Sequence, residues 1–126
     1  MHVLHIYKTG GTALKHALAA AGDRAAFALF IHKHAIGLDC IPRGDKVVFF
    51  VRDPIERFAS GFYDRQRQGR PRYNTPWSPD EAVTFGRFNT PGEIGEALAG
   101  SEQEIAAARH ALASLDRLIR PLSSWL

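Results

Sequence analysis

In the first half of the chain, short apolar runs alternate with helical patterns. Residues 2–7 are an apolar-rich run and predict a first strand. Leu14, Ala17, Leu18 and Ala21 then recur at i, i+3, i+4 and i+7, which predicts an amphipathic helix over residues 12–21. Gly22-Asp23 is its stop signal. Residues 27–31 predict a second strand and residues 42–45 a turn. Val47-Val48-Phe49-Phe50-Val51 are all β-branched or aromatic, the composition of a strand buried on both faces.

Helix signals dominate afterwards. Asp53 can cap a helix, Pro54 fits its first turn, and Glu56 completes a capping-box-like pattern. Ile55, Phe58, Ala59 and Phe62 make its apolar stripe. Residues 65–79 are polar and rich in Arg, Gly and Pro, so they read as a loop. Ser78-Pro79-Asp80-Glu81 and Thr90-Pro91-Gly92-Glu93 are two further helix starts. Ile105, Ala108, Leu112, Leu115, Ile119 and Leu122 then predict one long helix over residues 101–120. The order β-α-β-β-α followed by helices is that of an α/β fold with a parallel sheet.

Composition narrows the possibilities. A chain of 126 residues suits one domain with a real core. Hydrophobic residues at 45% and charged residues at 23% argue against disorder. Cys40 is the only cysteine, so neither an internal disulfide nor a cysteine-based zinc site is expected. The longest apolar run, residues 25–31, is far short of the roughly 20 residues of a membrane span. The first residues lack the pattern of a signal peptide, so the expected location is cytoplasmic. The net charge of +3 is thin for a nucleic-acid binder and suits a small anionic ligand. Twelve arginines against four lysines suit bidentate oxyanion binding, but with the many alanines they fit the codon bias of a GC-rich genome better.

Two segments carry candidate chemistry. Lys8-Thr9-Gly10-Gly11-Thr12 joins the first strand to the first helix. Two glycines let the backbone approach an anion, and the helix start directs free N–H groups and a positive dipole end at the same point. Lys8 adds a charge, and Thr9 and Thr12 add hydroxyls. The Walker A motif places its Lys after the glycines, whereas Lys8 precedes them, which disfavours an ordinary ATPase or GTPase. The second segment is Val51-Arg52-Asp53-Pro54-Ile55-Glu56-Arg57-Phe58-Ala59-Ser60. Arg52 leaves the end of the third strand, where α/β sheets bind ligands. Ser60 follows two helical turns later, and the two can converge on a second anion; taken alone, the segment reads equally as an Arg52–carboxylate pair with Ser60 an exposed helix residue.

Together these segments resemble the PAPS-dependent sulfotransferases (PAPS is 3′-phosphoadenosine 5′-phosphosulfate), especially the carbohydrate-type branch and its bacterial relatives. The resemblance covers residues 3–75 well and the remainder weakly. It implies a three-layer, P-loop-like α/β core with a short parallel sheet flanked by helices and a helical C-terminal part. It implies a single domain, with a donor-binding core over residues 1–75 and a helical segment over residues 76–126. In the family, a loop like Lys8, Thr9, Gly10, Gly11 and Thr12 holds the 5′-phosphosulfate of the donor. A segment like Arg52 to Ser60 holds the 3′-phosphate. The family usually has Pro where Tyr7 stands, and its catalytic domains are much longer.

The implied reaction moves a sulfuryl group from PAPS to a hydroxyl of a carbohydrate or other small molecule, without a metal. It needs a positioned donor, neutralised charge on the leaving phosphate and a base. Lys8 is the expected neutralising group. Related enzymes place a histidine base upstream of the Arg-Asp-Pro strand, which makes His34 the first choice and His32 the second; both also read as surface histidines. No carboxylate cluster accompanies them to make a metal site. His5, in the first strand, reads as a buried structural residue. Arg65, Arg67, Arg70 and Arg72 line the acceptor side in this reading or form a solvated loop in the bland one. Trp77 either stacks on a sugar or anchors that loop. Arg109 and His110 read as helix-surface residues. Trp125 and Leu126 extend the C-terminal apolar stripe, which predicts a homo-oligomer if the stripe stays uncovered. Two other readings stand beside the enzyme: a PAPS- or PAP-binding module that cannot transfer, because the chain stops early, and a P-loop kinase-like protein, which the position of Lys8 disfavours.

Overall fold

The computed structural model describes residues 1–21 and 28–125. In chain order the elements are β1 (His2–Leu4), α1 (Gly11–Ala21), β2 (Phe30–Ile31), β3 (Val47–Phe49), α2 (Pro54–Gln66), α3 (Pro79–Arg87), α4 (Pro91–Ala97), α5 (Glu102–Ser114) and α6 (Asp116–Ile119). The protein is α/β, with a three-stranded parallel sheet in the order β2-β1-β3. The chain forms two compact units, residues 1–53 with 120–126 and residues 54–119. Residue 75, where the donor core was expected to end, falls in the α2–α3 loop of the second unit. Among the described residues, no helix is long and apolar enough to cross a membrane.

In the first unit β1 is the central strand. His2 pairs with Phe30 on one side and Val47 on the other, and Val3 with Ile31 and Val48. His2, Val3 and Leu4 are all buried, as are His5 and Ile6 beyond them. The strand is shorter than the predicted residues 2–7. Lys8 has φ 61°, a left-handed conformation that no strand can contain, and the chain begins to turn before it. β2 is also short; the predicted helix stop at Gly22-Asp23 and strand start at Phe27 lie outside the described residues.

The third strand departs most from expectation. It covers residues 47–49 rather than 47–51, and it is not buried on both faces: Phe49 is 37% exposed and Val51 61%. Among the described residues β3 has one neighbour, β1, so its outer side meets no further strand.

The residues after α6 close this unit. Trp125 is buried, and its indole N–H donates to the His34 carbonyl oxygen at 2.7 Å. The Leu38 N–H donates to the Trp125 carbonyl oxygen at 2.7 Å, and the Arg120 guanidinium lies 4.7 Å from the indole centroid. Trp125 therefore fastens the loop that follows β2 and does not prolong a helical stripe.

The second unit is helical. Phe62 is fully buried and meets Phe85 edge-on at 5.2 Å, with Ile94, Ala108, Ala111, Leu115 and Leu118 also buried. Ile55, expected in the α2 stripe, is 79% exposed; the face that α2 buries carries Arg57, Gly61 and Phe62. Gly61 faces the Leu118 side chain so closely that a Cβ would overlap it.

The predicted long helix is two helices. α5 stops at Ser114, whose hydroxyl donates to the Ala111 carbonyl oxygen at 2.8 Å and meets the Thr84 hydroxyl at 2.8 Å. A serine bonding back to its own turn competes with the helical ladder. Leu115 leaves helical geometry at φ −108° and ψ 31°, and α6 restarts at Asp116. Of the expected stripe, Ala108 and Leu115 are buried core and Ile119 is exposed; Leu118, which the stripe did not include, is buried.

The helix starts follow the sequence signals. Ser78 and Ser101 each accept from the N–H three residues on, and Glu81 and Glu104 accept from the N–H of their caps, completing two capping boxes. Replacing such a cap by Ala costs about 1 kcal/mol. Ser101→Ala should therefore lower the urea midpoint, and Ser101→Asp should retain most of it; equal stability of Ser101→Ala and the parent would show that α5 does not need the cap.

Candidate functional site

Because β1, β2 and β3 are parallel, their C-terminal ends share one edge of the sheet. Three candidate segments leave that edge: residues 8–12 after β1, residues 32–34 after β2, and Arg52 after β3. From β1 the chain passes to β2 on one side and later to β3 on the other. A crevice outside the central strand at such a reversal is where open α/β sheets take ligands.

The turn from β1 into α1 is strained and tightly held. Lys8 has φ 61° and Gly10 has φ 87°, both left-handed. A lysine there is uncommon and persists only where its surroundings impose it. The Thr9 hydroxyl donates to the Ile6 carbonyl oxygen at 2.9 Å, so its proton is committed within the turn. Thr9 builds the loop, and Thr12, half-buried one residue into α1, carries the second hydroxyl of the segment. The Leu14 N–H donates to the Gly10 carbonyl oxygen at 3.1 Å, which makes Gly10 the cap of α1. The N–H groups of Gly11, Thr12 and Ala13 then have no acceptor in the helix, and the positive end of its dipole lies with them. Gly11 packs on the His5 ring; a Cβ at this position would overlap the ring atoms.

His5 is buried, and the structure keeps it uncharged. Burial first, then the His34 and Lys15 charges, lower its pKa from 6.5 to about 4. Its ring lies 3.9 Å from that of His34, and Tyr7 meets His34 edge-on at 5.4 Å. His34 is exposed, and its Nδ1 is 2.7 Å from the His5 carbonyl oxygen. A carbonyl only accepts, so Nδ1 carries the proton and Nε2 the lone pair.

His32 is held differently. Its Nε2 is 2.8 Å from Nδ1 of His2, and Nε2 of His2 is 2.9 Å from Oδ2 of Asp45. His2 is buried under the Phe30 ring at 4.9 Å. Sequence reasoning missed His2 and Asp45. They stand 43 residues apart, and only the parallel pairing of β1 with β3 brings them together.

Arg52 is exposed in the first unit, and Ser60 is half-buried on α2 in the second. Arg65 grips Glu81 with two nitrogens at 2.6 Å each and also donates to the Thr75 and Pro76 carbonyl oxygens. Burial raises the Glu81 pKa, but the hydrogen bonds from Arg65 and from the Ser78 N–H, with the Arg65 charge, outweigh it and hold the carboxyl below its usual range. Arg65 thus ties down the loop that follows α2. Trp77 does the same: its indole N–H donates to the Arg65 carbonyl oxygen at 2.9 Å, and its ring lies 5.1 Å from Phe85. Arg70 donates to Gln68 and Asn74 within the loop, and Arg67 and Arg72 are exposed. Arg109 and His110 are exposed on α5, His110 at 3.7 Å from Asp80. Among the described residues, no three His, Cys, Asp or Glu side chains gather as a metal site.

His5 ties the site's stability to pH. Its folded pKa is depressed, so between about 6.5 and about 4 the unfolded chain binds a proton that the folded chain resists. Stability should fall as the pH is lowered through that window. Urea midpoints for the parent and for His5→Gln should converge on acidification; a fall of equal size in both would show that His5 does not carry it.

Set against known proteins, the chain matches no family model, no curated protein and no solved structure.

Proposed function

We propose that this protein is a PAPS-dependent sulfotransferase on a three-layer, P-loop-like core, moving a sulfuryl group to a hydroxyl of a carbohydrate or other small molecule. The observation that carries the reading is the β1–α1 turn. There a lysine held at φ 61° and the open N-terminus of α1 meet at the C-terminal edge of the central strand. Such a turn suits a tetrahedral oxyanion better than a neutral ligand. Motif order, from Lys8 to the histidines to Arg52 and Ser60, supports the same donor.

In this reading the N–H groups of Gly11 and Thr12, with the Thr12 hydroxyl, hold the 5′-phosphosulfate. Arg52 takes the 3′-phosphate. The acceptor oxygen forms a bond to sulfur while the bond from sulfur to the bridging oxygen breaks, and that electron pair stays on the phosphate of the product, 3′-phosphoadenosine 5′-phosphate (PAP). Lys8 neutralises the charge that builds on this phosphate. The acceptor's proton passes to a histidine beyond β2, His34 or His32.

Calorimetry with PAP, AMP and ATP tests the donor. Only PAP offers a 3′-phosphate, and charge-assisted hydrogen bonds of this kind contribute roughly 1.5–3 kcal/mol. PAP should bind at least tenfold tighter than AMP, a margin that Arg52→Ala should erase. Equal affinities for PAP and AMP in the parent would sink the assignment of the 3′-site. Lys8→Ala should weaken PAP and abolish transfer from PAPS.

A further inference from the structure

We infer that His32 is the proton acceptor of this site, and that His2 and Asp45 are positioning residues that leave Nδ1 of His32 free to act. The identity of the proton, that of an acceptor hydroxyl, rests on the sulfuryl-transfer reading above; the order of the hydrogen bonds does not.

That order follows from which groups can donate. A carboxylate only accepts, so the 2.9 Å contact between Oδ2 of Asp45 and Nε2 of His2 requires the proton on Nε2. A neutral imidazole carries one N–H, which leaves the lone pair of His2 on Nδ1. The 2.8 Å contact from that nitrogen to Nε2 of His32 is then a hydrogen bond only if His32 donates. With its proton on Nε2, His32 keeps its lone pair on Nδ1.

The geometry favours this line over a chance contact. The His2 and His32 rings are parallel within 3° and their centroids are 5.1 Å apart, the spacing of two rings joined edge to edge through a 2.8 Å bond. His2 is 7% exposed and lies against Phe30, so its ring has little room to turn. Asp45 remains half-exposed at the far end, which keeps its carboxylate solvated. Across the sheet the line runs from the residues before β3, over the start of β1, to the first residue after β2.

Each candidate base keeps one ring nitrogen without a hydrogen bond among the described residues, Nε2 on His34 and Nδ1 on His32. They differ in what lies behind them. The Nδ1 of His34 meets a main-chain carbonyl, and its ring lies against His5. His32 backs onto a second imidazole that ends on a carboxylate. When Nδ1 of His32 takes the hydroxyl proton, the O–H electron pair stays on the attacking oxygen. The new imidazolium strengthens its Nε2–H bond to His2, and the Asp45 charge steadies it from beyond. An acid behind an imidazole fixes its tautomer and stabilises its cation in the same way in hydrolytic triads; here one imidazole is interposed.

Nitrogen NMR of the imidazole rings in the full chain, at mildly alkaline pH, reads the tautomers directly. Both His2 and His32 should show the Nε2–H form. His32 in the Nδ1–H form would overturn the inference whatever the activity. Asp45→Ala should leave the circular dichroism unchanged and turn both rings into tautomer mixtures; two unaltered rings would show that Asp45 orders nothing. Asp45→Asn keeps an accepting oxygen without the charge, so it should retain both tautomers and lower kcat about tenfold or more, with KM for PAPS unchanged. His32→Gln should lower kcat roughly 10²–10⁴-fold with PAP affinity intact. Full turnover in His32→Gln, with His34→Gln inactive, would move the base to His34. A parent chain that neither binds PAP nor transfers sulfate would fell the sulfuryl-transfer reading and the base with it, while the ring spectra would still decide the hydrogen-bond order.

Discussion

β1 is three residues long and carries the first unit almost alone. It is the strand with a neighbour on each side, and all three of its side chains are buried. Its parallel pairing has a consequence that side chains could not produce separately. Three strand ends must emerge at one edge, so the Lys8 turn, the residue pair His32 and His34, and Arg52 are drawn to a common side of the sheet. The sheet itself is small, since β2 has two residues and β3 is half-exposed. Side chains packed on the loops add contacts that the short strands cannot make: His5 beneath Gly11, Trp125 against the loop that follows β2, and His2 between Asp45 and His32.

What the sequence made legible was local. The glycine pair, the Ser-x-x-Glu boxes and the Asp-Pro start are read over four or five residues, and helices begin where they predict. The strand–turn–helix around Lys8 belongs to the same class, because Gly10 and Gly11 answer to backbone geometry and close packing within the turn. Thr9 was legible as a loop residue but not as one whose hydroxyl faces inward, since that depends on the backbone path at Ile6.

What stayed hidden depended on partners far along the chain. Periodicity from Ile105 to Leu122 suggested one helix because it records only which positions are apolar. The break at Leu115 arises where Ser114 meets Thr84, 30 residues earlier. A run such as residues 47–51 reads as doubly buried because composition records hydrophobicity and not the number of neighbouring strands; β3 has one among the described residues. Arg65 looked available for an acceptor and is spent on Glu81. His2 and Asp45 carried no signal at all, because register in a parallel sheet is not written in either strand.

The histidines of the first unit show how one residue type is given several roles by its surroundings. His5 is buried beside His34 and Lys15, so its cation is disfavoured and its ring serves as a neutral surface for Gly11. His34 is exposed and oriented by a carbonyl, a partner that fixes a tautomer without supplying charge. His2 is buried with both nitrogens engaged, so it transmits but has no free nitrogen to offer a substrate. Among the described residues, His32 is the histidine joined to a carboxylate through a second imidazole with its other nitrogen outside that hydrogen-bond line. The two environments are opposite in kind: neutral packing under the Gly11 turn, and an imidazole backed through His2 by a carboxylate at the end of β2. A charged His5 would need water or a counter-ion beneath Gly11, whereas the His32 ring is ordered by the carboxylate beyond His2. Burial settles the first and Asp45 the second, and both follow from where β1 lies.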